Sequence, residues 1–247
     1  HASITGFGDK GPYKDLPGQD LQLQAMTGLM SITGYSDRVS VPAGDAIADA
    51  VTGIITAFGV LAALHAREKT GEGQEVQTSL FASLMALFPQ QVSLYVGTQV
   101  IPPKAETGSP HSVPPYGVWE TKDGKEMAIS TSRDEPWKLF CGAIGQPELL
   151  EDPRFDGMDR RWEHRVELKA IVRDALLQKT RDEWIPLLRE HGQWVVPARN
   201  FQEICTEDTH LRDNGLVFEL EHPEMGASTF FGLPIKLSKT PMTARTH

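Results

Sequence analysis

Residues 44–67 constrain the fold of this chain more than any other stretch. Between Ala46 and Leu64 the only charged side chain is that of Asp49. Ile47, Val51, Ile54, Ile55, Phe58 and Leu61 recur at intervals of three and four residues, which is the helical period. The other faces carry Ala, Gly and Thr, so the helix reads as apolar nearly all round and is expected to be buried in a core. Its uncharged part, residues 50–64, is fifteen residues long, short for a bilayer span. A single carboxylate in the first turn of such a helix is pulled two ways. Burial penalises its charge, while the helix N-terminus favours it. Asp45 and Asp49 either complement the helix start, as Asp commonly does, or Asp49 is chemically employed.

The rest of the composition narrows the class. The 247 residues allow one large domain or two small ones, with 40 % hydrophobic and 23 % charged side chains. A net charge of −9 argues against a general nucleic-acid binder or a polybasic membrane surface. Two cysteines, Cys141 and Cys205, provide no disulfide framework and fit a reducing, cytoplasmic compartment. The chain starts at His1 and enters a strand-like run at once, and it stops in a polar stretch. Both ends lead us to expect a piece of a longer protein.

Gly6-Phe7-Gly8-Asp9-Lys10-Gly11 fits G-x-G-x-x-G after Ser3-Ile4-Thr5. A dinucleotide fingerprint needs a helix to start there, whereas Pro12 and Pro17-Gly18 spell a loop. The glycines instead permit close backbone approach to a ligand or another chain. Leu21, Leu23, Ala25, Met26 and Leu29 predict a short helix. A strand is expected over 74–79 and an apolar helix over 80–95, perturbed at Pro89. The proline-rich residues 97–115 read as a linker. Beyond it, Asp123-Gly124 signals a hairpin between strands at 116–121 and 125–131. Helices follow at 136–144 and 165–178, and another opens on the capping box Thr180-Arg181-Asp182-Glu183. A helical turn at 200–205 and strands at 216–221 and 228–231 close the chain.

No single motif specifies chemistry. There is no G-x-S-x-G elbow, and Cys141 and Cys205 lie in helical patterns that suit core or surface roles. His65, His111, His164, His191, His210 and His222 lack zinc spacing, so no metal site is expected. The charged run 151–165 reads as a solvated face.

The order of the pieces is more informative. Ser3-Ile4-Thr5-Gly6-Phe7-Gly8, Gly11-Pro12-Tyr13, Pro17-Gly18-Gln19-Asp20 and Gln24-Ala25-Met26-Thr27-Gly28-Leu29-Met30 stand in sequence. Ala48-Asp49-Ala50-Val51-Thr52-Gly53, Gly59-Val60-Leu61-Ala62-Ala63-Leu64 and Lys69-Thr70-Gly71-Glu72-Gly73-Gln74 follow. Pro115-Tyr116-Gly117, Asp123-Gly124, Asp152-Pro153-Arg154-Phe155 and His222-Pro223 continue in register. Together they resemble the family III CoA-transferases, the CaiB/BaiF group, over essentially the whole chain.

The resemblance implies an α/β fold. Residues 1–96 would be part of a large Rossmann-like domain carrying the nucleophile helix, and 97–115 a linker. Residues 116–199 would be a small α+β domain and 200–247 a segment returning toward the large domain. In the family two ring-like chains interlock as a homodimer. The resemblance makes Asp49 the nucleophile and places Gly6, Phe7, Gly8, Gln19 and Asp20 near the CoA or the active-site wall. The implied reaction moves CoA from an acyl-CoA to a free carboxylic acid, through an aspartyl-acyl anhydride and an aspartyl-CoA thioester. CoA is then a substrate, with no tightly bound cofactor. The related α-methylacyl-CoA racemases have an acid/base His at the place of Gln19, and its absence argues against proton transfer at the α-carbon. That racemase reading and a non-catalytic dimerisation fragment are the alternatives.

Two local departures stand out. Ser109-Pro110-His111-Ser112 replaces the family's His-Pro-Ser order, and Ser130-Thr131-Ser132-Arg133-Asp134-Glu135 lacks the glycines of a loop that covers the nucleophile in some members. The family also has segments before Ser3 and after Thr243. This chain is therefore expected to expose apolar surface and to be inactive alone.

Overall fold

A computed structural model describes residues 1–131, 133–222, 224, 226–232 and 234–241. The first half is organised around a parallel strand pair. Strand β1 (Ala2–Thr5) runs into a loop, then helices α1 (Asp20–Met26) and α2 (Leu29–Ile32), and then the long helix α3 (Ile47–Thr70). Helix α3 ends at Gly71, whose φ of 75° suits the left-handed C-cap that only glycine adopts freely. The chain then returns as β2 (Val76–Ser79), parallel to β1 with Ala2 opposite Val76 and Thr5 opposite Ser79. A parallel pair demands such a crossover, and α3 is its helical part. Ser79 caps α4 (Leu80–Met85) by accepting the Ala82 N–H at 3.2 Å. Pro89 then opens α5 (Pro89–Thr98) at the position where a missing N–H costs nothing, which splits the single helix expected over 80–95. Gly28, at φ 88°, likewise separates α1 from α2.

Helix α3 departs from its sequence reading in one respect. Its buried residues are Ala48, Thr52 and Thr56, whereas Ile54, Phe58 and Leu61 are 71 %, 74 % and 65 % exposed. Small side chains face inward because the helix lies very close to β2. A Cβ on Gly59 would stand 2.8 Å from Val76 Cγ1, and the Thr56 and Thr78 hydroxyls hydrogen-bond at 2.6 Å. The helix is thus not buried all round, and its large apolar side chains form an outward stripe. The expectation of exposed apolar surface is met here. At 24 residues α3 is also long and apolar enough, by length and composition alone, to cross a bilayer. Its inner face is instead laid on β2, β1, α1 and α4.

Residues 99–116 contain no helix or strand. After them β3 (Gly117–Glu120) and β4 (Glu126–Ile129) form the expected antiparallel hairpin, with Gly124 at φ 70° in the turn. Helix α6 (Asp134–Ala143) follows, then α7 (Met158–Glu163), α8 (Arg165–Leu176) and α9 (Arg181–Glu190). The capping box is present: the Thr180 hydroxyl accepts the Glu183 N–H, and Glu183 Oε2 accepts the Thr180 N–H at 2.8 Å. Strand β5 (Val195–Pro197), which the sequence pattern did not reveal, adds antiparallel to β4. These elements enclose a core built on Trp137, Phe140, Leu168, Leu176, Trp184 and Leu188. The chain closes with a π-helical turn at Glu203–Glu207, α10 (His210–Asp213) and the hairpin β6 (Val217–His222) and β7 (Gly226–Phe231).

The run 151–165 is not uniformly a solvated face. Arg161 on α7 is 1 % exposed, ion-paired to Asp134 and 5.2 Å from the Trp137 ring centroid. A guanidinium can be buried where a carboxylate and an aromatic face replace water. Pro223, Ser132 and residues 242–247 lie outside the described residues.

Carboxylates tie this second half together. Thr121 donates to Asp123 and Thr180 to Glu183, the Asn200 N–H and Arg181 hold Glu203, and Arg154 holds Asp152. Each carboxyl is kept below its usual range by those bonds. A depressed folded-state pKa stabilises the fold above the unfolded value of about 4 and loses that contribution as pH falls through the folded value. Thermal stability of the second half is therefore expected to drop on acidification below about pH 4, less steeply in Glu203→Gln, as followed by circular dichroism melts. Phe140→Ala, which empties a fully buried ring site, is expected to cost about 3–5 kcal/mol in chemical denaturation.

Candidate functional site

Asp49 occupies the third position of α3, in its first turn. It is exposed, and it makes no hydrogen bond or ion pair among the described residues. This corrects the expectation of a poorly hydrated carboxylate: the outward-facing start of α3 leaves it open. It sits where the partial positive charge of the helix end favours an anion.

What fixes the start of α3 lies in α1. Asp20 Oδ1 accepts the Ala48 N–H at 2.7 Å, and its Oδ2 accepts Gln24 Nε2 at 2.5 Å. Ala48 is completely buried and directly precedes Asp49. Gln24, 1 % exposed, spends its remaining capacity on the segment leading into α3. It accepts the Ala43 N–H at 2.8 Å and donates to the Asp45 carbonyl at 3.2 Å. Asp45 Oδ1 takes the Ala46 N–H at 2.8 Å. The exposed N-terminal groups of a helix need such partners. Here they come from 28 residues upstream, and they set the direction in which α3 leaves.

Gly6, Phe7 and Gly8 form the loop after β1. The backbone of Gly6 crosses that of Gly18 so closely that a Cβ on Gly6 would stand 2.7 Å from the Gly18 Cα. At Gly6 the close approach is therefore to another part of this chain, whereas a Cβ on Gly8 would meet nothing within 4 Å. Gly8 has φ 93°, and its N–H donates to Thr5 Oγ1 at 2.8 Å. Phe7 packs on the small cluster of Leu23, Ala48, Leu80 and Leu84, with its ring 5.7 Å from that of Tyr13. Gln19 is the N-cap of α1, its N–H bonded to Gln22 Oε1 at 3.0 Å. Phe7 and Asp20 reach the start of α3 at Ala48, and Gly6 crosses Gly18 just before Gln19 and Asp20, whereas the bond of Gly8 stays within its own loop.

Gln24 is the residue at this helix start that sequence reasoning passed over. Its helix was read from Leu21, Leu23, Ala25, Met26 and Leu29, yet Leu21 and Met26 are 59 % and 42 % exposed. A buried amide is invisible to apolar periodicity; the available signal was Asp20 and Gln24 at i and i+4, a hydrogen-bonding pair. Elsewhere, Cys141 is fully buried, and burial pushes its thiol up to about 12, far from a nucleophile at neutral pH. Among the described residues no group of three or more His, Cys, Asp or Glu could hold a metal ion.

Comparison with known proteins gives a consistent result. A family model described as CoA-transferase family III matches residues 1–247. The succinyl-CoA–D-citramalate CoA-transferase of Chloroflexus aurantiacus is 31 % identical over 96 % of this chain. The succinyl-CoA:glutarate CoA-transferase of Mus musculus is 30 % identical over 98 %. The chain spans 59 % and 55 % of the length of these two curated relatives. A crystal structure of a CaiB/BaiF family protein from Brucella suis superposes with a TM-score of 0.82 at 26 % identity, covering 98 % of this chain and 62 % of that one.

The Asp20–Gln24 link makes separable demands on stability. Gln24→Leu leaves the Ala43 N–H and the Asp45 carbonyl without their partner and is expected to cost about 1–3 kcal/mol. Asp20→Ala, which removes the acceptor of a first-turn helix N–H, is expected to cost about 1 kcal/mol. Urea denaturation of the two variants checks both values.

Proposed function

Because this chain belongs to CoA-transferase family III, we propose that the whole protein moves CoA from an acyl-CoA to a free carboxylic acid, with Asp49 as the nucleophile. The observation that carries this reading is the carboxylate of Asp49, open and unpartnered in the first turn of a helix whose start is pinned by Asp20 and Gln24. A nucleophile must be ionised, accessible and held in place. The helix end favours the ionised form.

In the proposed sequence an Asp49 oxygen attacks the thioester carbonyl, and the carbon–sulfur bond breaks to release the CoA thiolate. The enzyme then carries a mixed aspartyl-acyl anhydride. The thiolate attacks the Asp49 acyl carbon, giving aspartyl-CoA thioester and the free donor acid. The acceptor carboxylate attacks that thioester and regenerates thiolate and an anhydride. Attack of the thiolate on the acceptor acyl carbon forms the new acyl-CoA and returns Asp49. No proton is gained or lost overall, and no tightly bound cofactor enters.

Within this reading Gly6, Phe7 and Gly8 line the approach of the CoA thioester, and Gln19 flanks it. Asp20, with both oxygens engaged, serves by holding Ala48 and hence the backbone before Asp49. The names of the relatives suggest short dicarboxylic acids among the partners of the exchange. We further propose that the protein works as a homodimer in the cytoplasm, with no membrane or nucleic-acid partner. The outward stripe of Ile54, Phe58 and Leu61 supports a protein surface packed against α3. The net charge of −9 and the two free cysteines support the rest.

Incubating the intact enzyme with acyl-CoA and hydroxylamine is expected to convert Asp49 to its hydroxamate, located by peptide mass spectrometry. Turnover without trapping would sink the assignment. Asp49→Ala is expected to lower turnover by on the order of a thousandfold or more while leaving the melting temperature nearly unchanged, because the side chain has no structural partner.

A further inference from the structure

Away from Asp49, a cavity of about 280 Å³ lies where the connecting segment meets α8 and the first half. None of Gly6, Phe7, Gly8, Gln19, Asp20 or Asp49 lines it. The connecting segment contributes Lys104 and Glu106, α8 contributes Arg165 and Lys169, and Trp119 and Trp162 add aromatic surface. Its volume is near the lower end of ligand pockets, which start at about 300 Å³, so it suits a small acid better than a nucleotide.

The wall is a built structure. The Ala105 N–H donates to the Ile32 carbonyl at 2.8 Å, Glu106 N–H to Gly34 at 3.0 Å, and Val118 N–H to Thr107 at 2.8 Å. Glu106 is held at φ 51°, a left-handed conformation uncommon for a residue with a side chain. Its carboxylate takes Lys169 Nζ at 2.5 Å, so that pair is neutralised within the wall.

Two cations remain. Arg165 stacks 4.2 Å from the Trp162 ring centroid and gives Nη1 to the Trp162 carbonyl at 2.9 Å. It has no carboxylate partner among the described residues, and its Nε and Nη2 make no protein hydrogen bond there. Lys104 gives one hydrogen bond, to the Arg38 carbonyl at 3.1 Å, and likewise has no carboxylate partner among the described residues. Arg165 is moreover the first residue of α8, where the helix dipole disfavours a cation. In a chain with 33 acidic and 24 basic residues, two uncompensated cations on one cavity call for an anion. The aromatic walls call for apolar carbon between its charges.

We propose that this cavity binds a short-chain dicarboxylate. One carboxylate meets the Arg165 guanidinium, whose fork matches it. The other meets Lys104, and the methylenes lie against Trp119 and Trp162. Occupancy bridges the connecting segment and α8, and so ties the first half of the chain to the second. This site is independent of the role proposed for Asp49.

The test is calorimetric titration of the full-length protein with succinate in the absence of any CoA thioester. Butyrate and inorganic phosphate serve as single-anion comparisons. Succinate is expected to bind saturably and more tightly than either comparison. Its affinity should be roughly tenfold weaker in Arg165→Gln and in Lys104→Gln, partly restored in Arg165→Lys, and unchanged in Asp49→Ala. Lys104→Gln, on a segment without helix or strand, carries the test should Arg165→Gln fail to fold. Absence of saturable binding, equal affinity for butyrate or phosphate, or binding that is lost in Asp49→Ala and retained in Lys104→Gln would each overturn the proposal.

Discussion

The hydrogen bond from the Ala48 N–H to Asp20 is the interaction on which the first half depends. It joins two helices far apart in sequence at the point where α3 begins, and Gln24 extends it to Ala43 and Asp45. Without those partners the first turn of α3 would hold unpaired donors against a buried alanine, an arrangement that folded chains avoid. The cluster that this link stabilises is small: Leu23, Ala48, Leu80 and Leu84 are its buried apolar members. A core of that size leaves much of the positional precision to polar bonds, and the residue before Asp49 is one that those bonds hold directly.

The two halves distribute apolar side chains by different rules, which explains what the sequence could and could not convey. In the second half Trp137, Phe140, Leu168, Leu176, Trp184 and Leu188 point inward, and the hairpin at Asp123-Gly124, the capping box at Thr180 and the helix over 165–178 were all legible from local chemistry. In the first half, α3 buries Ala48, Thr52 and Thr56 and turns Ile54 and Phe58 outward. Periodicity correctly identified a helix there. It could not identify the inward face, because close approach to β2 selects small side chains and leaves the large ones on the outer face. Strand β5 and helix α7 escaped notice for a related reason. β5 has three residues, too few for an alternation, and α7 buries Arg161, a residue type that reads as solvent-facing until its carboxylate and aromatic partners are known.

The resemblance named Gly6, Phe7, Gly8, Gln19, Asp20 and Asp49 but no geometry for them, and the fold brings Phe7 and Asp20 to Ala48, the residue before Asp49. It also changes the sense of two of them. Gly6 is glycine because Gly18 crosses it, with no room for a Cβ. Asp20 has both oxygens committed to protein donors, so the most direct reading of its carboxylate is support for the helix rather than contact with an acid substrate.

The exposure of Asp49 sharpens the proposed mechanism. A carboxylate in open water is a weak nucleophile, because its hydration shell must be shed before it can reach a carbonyl carbon. Burial within this chain does not remove that water, since the outer face of α3 is open. In the proposed mechanism the desolvation therefore arrives with what is proposed to cover the start of α3, the acyl-CoA together with a protein surface over Ile54 and Phe58. On this view the apolar stripe and the nucleophile are one device. The stripe supplies the area that drives covering, and covering excludes water from the first turn that bears Asp49. Reactivity would then be confined to the covered, substrate-loaded state, and the same exclusion of water would protect the proposed anhydride from hydrolysis.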